Sequence, residues 1–222
     1  MAELVGDWGG GRIWRVAGGI PKANSYFCEA KVPGGCILID AGLDGGLIDR
    51  ELVKFGLYPY KVFCTHGHFD HIGSASYFQD KYGSEVIVHK LDERTLRASN
   101  FLLMALGIKI KIKLPEVTYI EDGYQEKIGD HLLSYIPSPG HTPGSCVVEL
   151  GNIWFTGDTI YSQGVGLSPL AGANTEILRQ TIKKLWSGLN ESRTICPGHG
   201  DFERGAVIRQ NNKPLKKFLE LG

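Results

Sequence analysis

The stretch THGHFDH, Thr65 to His71, places three histidines and an aspartate side by side in seven residues. Neutral imidazole is the commonest transition-metal ligand in proteins. His66 and His68, two apart on a loop, can reach one ion while Asp70 and His71 point toward a second. A single histidine in a polar loop is ordinarily a surface residue, but four potential ligands in six positions favour two metal ions lying together. Three more candidates follow at turns of similar design. SPGHTPGS sets His141 between two Pro-Gly turns, FTGDT sets Asp158 after the apolar run IWF, and CPGHG sets His199 after TIC. Each lies just past a strand-like run, where a loop at a sheet edge can aim it at a shared point.

The elements that must position these residues are short and glycine-punctuated. Residues 12–41 read as three strands, RIWRVAG, NSYFCEAKV and GCILIDAG. GGLIDRELVKFG has helical spacing of Leu47, Ile48, Leu52 and Phe55, and KVFCT is a strand that ends at the histidines. A helix with Asp70 as its N-cap is expected through DHIGSASYFQDKYG, with Ile72, Ala75 and Phe78 on one face. EVIVH reads as a strand, and 91–116 has no clear assignment. EVTYIEDG, LLSYIPSPG, SCVVELG and NIWFTGD form a second run of strands. NTEILRQTIKKLWSGL reads as an amphipathic helix capped by Asn174, RTIC as a further strand, and RQNNKPLKKFLEL as a closing helix. The pattern is α/β, with two central sheets covered by helices.

With 222 residues, 42% of them hydrophobic, the chain suits one domain spanning 1–222. Its 24 basic and 24 acidic side chains balance, so nothing steers it globally toward nucleic acid or acidic membranes. The N-terminus lacks a signal-peptide pattern, and the longest apolar segment, FLLMALGI, is too short to span a bilayer. A cytoplasmic location without stable membrane insertion is the expectation. Five widely spaced cysteines, with no C-x-x-C pair, suggest buried hydrophobes rather than a disulfide framework or cysteine zinc site.

The order HxHxDH at 66–71, then His141, Asp158 and His199, resembles the metallo-β-lactamase superfamily over essentially the whole chain. The resemblance implies an αββα sandwich, two mixed β-sheets flanked by helices, with a binuclear site at one edge. It implies one metal on His66, His68 and His141, a second on Asp70, His71 and His199, and Asp158 bridging. Zinc is the usual ion there, with iron or manganese as alternatives. Two divalent ions, less the charges of Asp70, Asp158 and a bridging hydroxide, leave one net positive charge to stabilise an oxyanion. Hydrolysis of a small molecule's polarised carbonyl or phosphoryl group follows.

Within that superfamily the motifs are most similar to glyoxalase II-like thioester hydrolases. Only 23 residues follow His199, where a glyoxalase II continues into a glutathione-holding helical region, and QGVGLSP replaces its Gly-Cys-Gly-Arg-like run. The antibiotic-hydrolysing branch has another residue in place of Asp158, and the nuclease branches carry further domains. Tyr161 matches a tyrosine of the superfamily's lactonases, where its phenol meets substrate oxygen, and joins Asp70 as a catalytic candidate. Cleavage of a thioester, ester or lactone is the leading expectation. A mononuclear-iron persulfide dioxygenase, with ligands at His66, His141 and Asp158, is the alternative, followed by a non-catalytic metal-binding module.

The run IKIKIKL alternates Ile and Lys at the strand period. It suits an edge strand whose lysines block aggregation. The alternative is a lid or homodimer contact presenting Lys109, Lys111 or Lys113 to an anionic or acyl substrate or to a lipid surface. Asp40, in ILIDAG, resembles the family's aspartate beneath the metal loop and is expected to orient the histidines. Thr65 and Thr142 flank ligands as candidate hydrogen-bonding supports. His89 and His131 receive no role.

Overall fold

The computed structural model describes residues 1–220. The first sheet runs in the order β1 (Glu3–Asp7), β2 (Arg12–Gly18), β3 (Ala23–Glu29), β4 (Gly35–Ile39), β5 (Tyr58–Phe63), β6 (Glu85–His89) and β7 (Thr118–Ile120). Its first four strands pair antiparallel and β4 to β7 pair parallel. The second comprises β8 (Gln125–Ile128), β9 (His131–Pro137), β10 (Cys146–Leu150), β11 (Ile153–Gly157), β12 (Thr194–Pro197) and β13 (Glu203–Arg204). Only its β11–β12 pair is parallel. Both sheets are therefore mixed, as the sequence leads one to expect.

Side-chain alternation explains why the strands read as unbroken apolar runs. In β4, Ile37 and Ile39 point between the sheets, where they meet Leu133, Tyr135, Val148 and Phe155. Cys36 and Leu38 point the other way, onto α1 (Gly45–Lys54) and its neighbours. A strand covered on both faces has no polar side to alternate with. The outer face of the second sheet, with Val147, Trp154 and Ile195, is covered by Leu178 and Ile182 of α6 (Thr175–Leu185) and by Leu215 and Phe218 of α8 (Lys213–Glu220). All five cysteines are buried and free.

The helix expected after the histidines is broken in two. α2 (Phe69–Ile72) begins after His68, so Asp70 lies in its first turn and caps nothing, and α3 (Ala75–Tyr82) follows. The break has a cause in backbone pairing. Ala41 donates to the His71 carbonyl at 2.7 Å, and Ser74 donates to the Ala41 carbonyl at 3.0 Å, which ties this turn to the end of β4. At Gly73 a side chain would meet the Phe69 carbonyl at 2.5 Å and Leu43 at 2.6 Å, so only glycine allows that approach.

The unassigned stretch holds α4 (Glu93–Arg97) and α5 (Ser99–Ala105). The strand expected at IKIKIKL is absent, since residues 108–114 join no ladder. The Asn100 side chain instead satisfies Ile112, accepting from its N–H at 2.9 Å and donating to its carbonyl at 3.0 Å. The terminal helix is likewise two, α7 (Gly205–Asn211) and α8, with Leu221 of the expected span outside the described residues. Asn174 does cap α6, its side chain accepting from Glu176 and Ile177.

Candidate metal centre

The seven donors come from loops and the short helix α2 that follow strand ends. His66, His68, Asp70 and His71 follow β5, His141 lies between β9 and β10, Asp158 follows β11, and His199 follows β12. The structure gathers them into three overlapping sets: His66, His68 and His141; His66, His71 and Asp158; and Asp70, His71 and His199. In each set the ligand atoms lie within 4.8 Å of one another. Asp158 stands between the outer sets, 3.3 Å from His71 Nε2, and 3.4 Å from both His141 Nε2 and His199 Nε2. Asp70 lies 3.3 Å from His199 Nε2.

In four of the five rings the far side fixes a proton on Nδ1. His141 Nδ1 donates to the Gly166 carbonyl at 2.8 Å, and His199 Nδ1 to the Lys22 carbonyl at 2.7 Å. A carbonyl only accepts, so both protons sit on Nδ1. His71 Nδ1 donates to Asp40 Oδ2 at 2.8 Å. Thr65 Oγ1 gives its only proton to Asp40 at 2.8 Å and accepts from His66 Nδ1 at 3.1 Å. Four rings thus turn Nε2 inward, where its lone pair can meet a cation. His66 Nε2 and His141 Nε2 both meet His68 Nδ1, at 3.1 and 3.0 Å, so the three nitrogens converge on one point.

This donor set fits cations and little else. His71 Nε2 and Asp158 Oδ1 are fully buried without a hydrogen-bond partner, a costly condition for polar atoms unless an ion satisfies them. Burial drives His66 and His68 toward the neutral form, His68 down to about 4, so both keep lone pairs at neutral pH. Burial opposes charge on His71 as well, yet Asp158, Asp40 and Asp70 outweigh it and push its pKa well up. For Asp158 burial works against ionisation, and the surrounding histidines nonetheless hold it well below the usual carboxylate range. Positive charge is what this pocket stabilises.

Two aspartates hold the loops. Asp40 is the one non-glycine residue at positive φ among those described, at 56°, and is buried. Its Oδ1 accepts the Thr65 N–H at 2.7 Å while Oδ2 takes Thr65 Oγ1 and His71. That strained conformation persists because three hydrogen bonds fix it. Asp92 escaped the sequence reading. Its Oδ2 accepts the Gly67 N–H at 2.7 Å and Thr142 Oγ1 at 2.8 Å, and Oδ1 accepts the Gly144 N–H at 2.8 Å, joining the two histidine loops. Burial raises its pKa above the ordinary value against these donors. Nothing in the run HKLDERT distinguishes it from a surface acid.

The remaining candidates fall in different places. Tyr161 packs edge-on to His199, with ring centroids 6.1 Å apart, and lines a hollow with Ser162, Gln163 and Asp201. Burial and then Asp158 raise its pKa, so the phenol stays a donor. Lys109 and Lys111 line a separate hollow with Met104, Ile108 and Ile110 that contains none of the seven donors, and Lys113 pairs with Asp80 at 2.7 Å. His89 pairs with Asp122 at 3.1 Å and His131 stands edge-on to Trp8, both outside the donor sets. No helix among the described residues is long and apolar enough to cross a membrane.

The sandwich and its rim of histidines and aspartates define a known class: the chain belongs to the metallo-β-lactamase superfamily, whose family model matches residues 19–199. It is 30% identical to the probable metallo-hydrolase YqgX of Bacillus subtilis, over 90% of this chain and 95% of that protein. Among solved structures it is similar to TTHA1623 in a di-iron-bound form, with 27% identity, a TM-score of 0.81, and coverage of 90% of this chain and 98% of that one. The BLEG-1 B3 metallo-beta-lactamase superposes with a TM-score of 0.82 at 25% identity, covering 91% of this chain and 99% of that one.

Proposed function

We propose that the protein is a metal-dependent hydrolase of a small thioester, ester or lactone, related in its motifs to the glyoxalase II-like branch. One ion would rest on His66, His68 and His141, the other on Asp70, His71 and His199, with Asp158 between them. The observation that carries this reading is the orientation of four imidazoles, His66, His71, His141 and His199, whose Nδ1 atoms are engaged by Thr65, Asp40, Gly166 and Lys22 so that Nε2 of each faces the others. When bound, two divalent ions supply a hydroxide nucleophile at neutral pH and polarise the substrate carbonyl. Zinc is the first expectation; the di-iron relative supports iron as the second.

The chain's own residues do the rest. Asp70 and Asp158 provide two negative charges that hold the cations and temper their net charge. Tyr161, kept protonated beside Asp158, donates to the carbonyl oxygen or to a departing alkoxide. Seven donors in overlapping sets support a two-ion centre over the single iron of a persulfide dioxygenase.

Steady-state hydrolysis of a panel of thioesters, esters and lactones by the metal-loaded protein tests this. Asp158→Ala should lose metal and turnover together. Full activity in that variant with both metals retained would remove Asp158 from its bridging place.

A further inference from the structure

Beside the donor cluster a trough of about 450 Å³ opens on His68. One wall is helical. Leu91 in the turn before α4, Arg94 and Thr95 of α4, Ala98 at its end, and Phe101 and Leu102 of α5 line it, recurring at three- and four-residue intervals. Pro143, two residues past His141, and Ala171 with Gly172 form the facing wall. The lining is apolar except for Arg94, Thr95 and His68. Thr95 Oγ1 is already turned toward Asp92 at 3.4 Å. Leu91 and Phe101 are 60% and 63% exposed, a large apolar surface to leave wet at a trough mouth.

Arg94 is the anomaly in this stripe. Glu93, the nearest acid, pairs with Arg97 at 2.9 Å, and positions three and four residues from Arg94 on either side hold Lys90, Leu91, Arg97 and Ala98. Its guanidinium has no ion-pair or hydrogen-bond partner among the described residues, and no carboxylate lines the trough. A guanidinium presents a planar fork suited to a carboxylate or phosphate.

Resting on the hydrolase reading above, we infer that this trough holds the non-reacting arm of the substrate and that Arg94 selects arms carrying an anionic group on an apolar linker. Lys109, Lys111 and Lys113 have no part in it. Arg94 is exposed and buries no partner, so replacing it leaves the fold intact.

Three matched thioesters test the inference with metal-loaded enzyme: the pentanoyl and glutaryl thioesters of N-acetylcysteamine, and the pentanoyl thioester of 3-mercaptopropionate. The first is neutral, the second carries its charge on the acyl arm, and the third on the leaving group. The wild type should favour one anionic substrate, and which one tells whether the acyl or thiol side occupies the trough. Arg94→Gln should lower kcat/KM for that substrate about 10-fold or more, chiefly through KM, leaving the neutral one within about 2-fold. Arg94→Lys should restore part of the loss and Arg94→Glu should reverse the preference. If all three are cleaved at like rates and Arg94→Gln slows them alike, the hydrolase stands and the role of Arg94 is overturned. If metal-loaded wild type cleaves none of the three yet hydrolyses esters or lactones of the panel above, the hydrolase stands and this inference is overturned; if it hydrolyses nothing in that panel, both fall.

Discussion

The Asp40 carboxylate accepts the Nδ1 proton of His71 at 2.8 Å from a backbone held at φ 56°. Sequence places these residues 31 apart, yet the hydrogen bond decides the tautomer of His71 and turns its Nε2 toward Asp158. Removing the acceptor frees the ring to rotate or to carry its proton on the wrong nitrogen. Asp40→Ala should weaken metal binding by about 10- to 100-fold. Competition with a chromogenic chelator measures this, and unchanged affinity would take Asp40 out of the centre's support.

Asp92 gives a contrasting prediction, because it supports loops rather than a single ring. Asp92→Ala leaves the buried Gly67 and Gly144 N–H groups without their acceptor. At about 1–3 kcal/mol for each orphaned group, a loss of about 3 kcal/mol is expected. For a chain of this size that lowers Tm by roughly 6–12 °C, measurable by calorimetry. A shift under about 2 °C would mean that the loops hold without it.

Gly198 is a position where sequence logic and packing coincide. A methyl group there would meet Asp158 Oδ1 at 2.3 Å and His71 Cε1 at 2.4 Å, displacing two donors at once. Gly198→Ala should reduce bound metal and turnover in parallel while far-UV circular dichroism stays unchanged. Retention of full metal content would contradict the geometry drawn for Asp158 and His71.

Acid stability should depend on Asp49, which belongs to none of the donor sets. Burial favours its protonated form, but Lys81, Tyr82 and Tyr77 donate to it and lower its pKa overall. A carboxyl depressed in the folded state stabilises fully above its unfolded value of about 4, and that contribution is lost as pH falls through the folded value. Urea unfolding of wild type and Asp49→Asn should therefore differ most near pH 7, with the difference shrinking as pH falls below about 4. A constant difference would show that ionisation of Asp49 contributes nothing.

The candidate donors were legible because side chains able to hold a metal are few in type and these lie on glycine-rich turns after apolar strands. His141, Asp158 and His199 could be picked from 222 residues on that pattern alone. Strands covered on both faces were equally plain. Periodicity failed at IKIKIKL, where alternation of Ile and Lys predicts a strand but one asparagine, Asn100, takes the backbone hydrogen bonds of Ile112. It failed again after His71, since the tie between Ala41 and Ser74 that splits the helix is a long-range contact. Asp92 was invisible for the same reason, its partners Gly67, Thr142 and Gly144 being 25 to 52 residues away. Arg94 needed the helix of its neighbours before its apolar surroundings could be recognised.

Two cations sharing Asp158 underlie the proposed hydrolysis. Elemental mass spectrometry of protein purified without added metal, expressed as ions per chain, tests this most directly. About two ions of zinc or iron per chain, falling on Asp158→Ala, is the predicted result. A single iron per chain that does not rise when metal is supplied would contradict the bridged centre and favour oxygen chemistry at one ion.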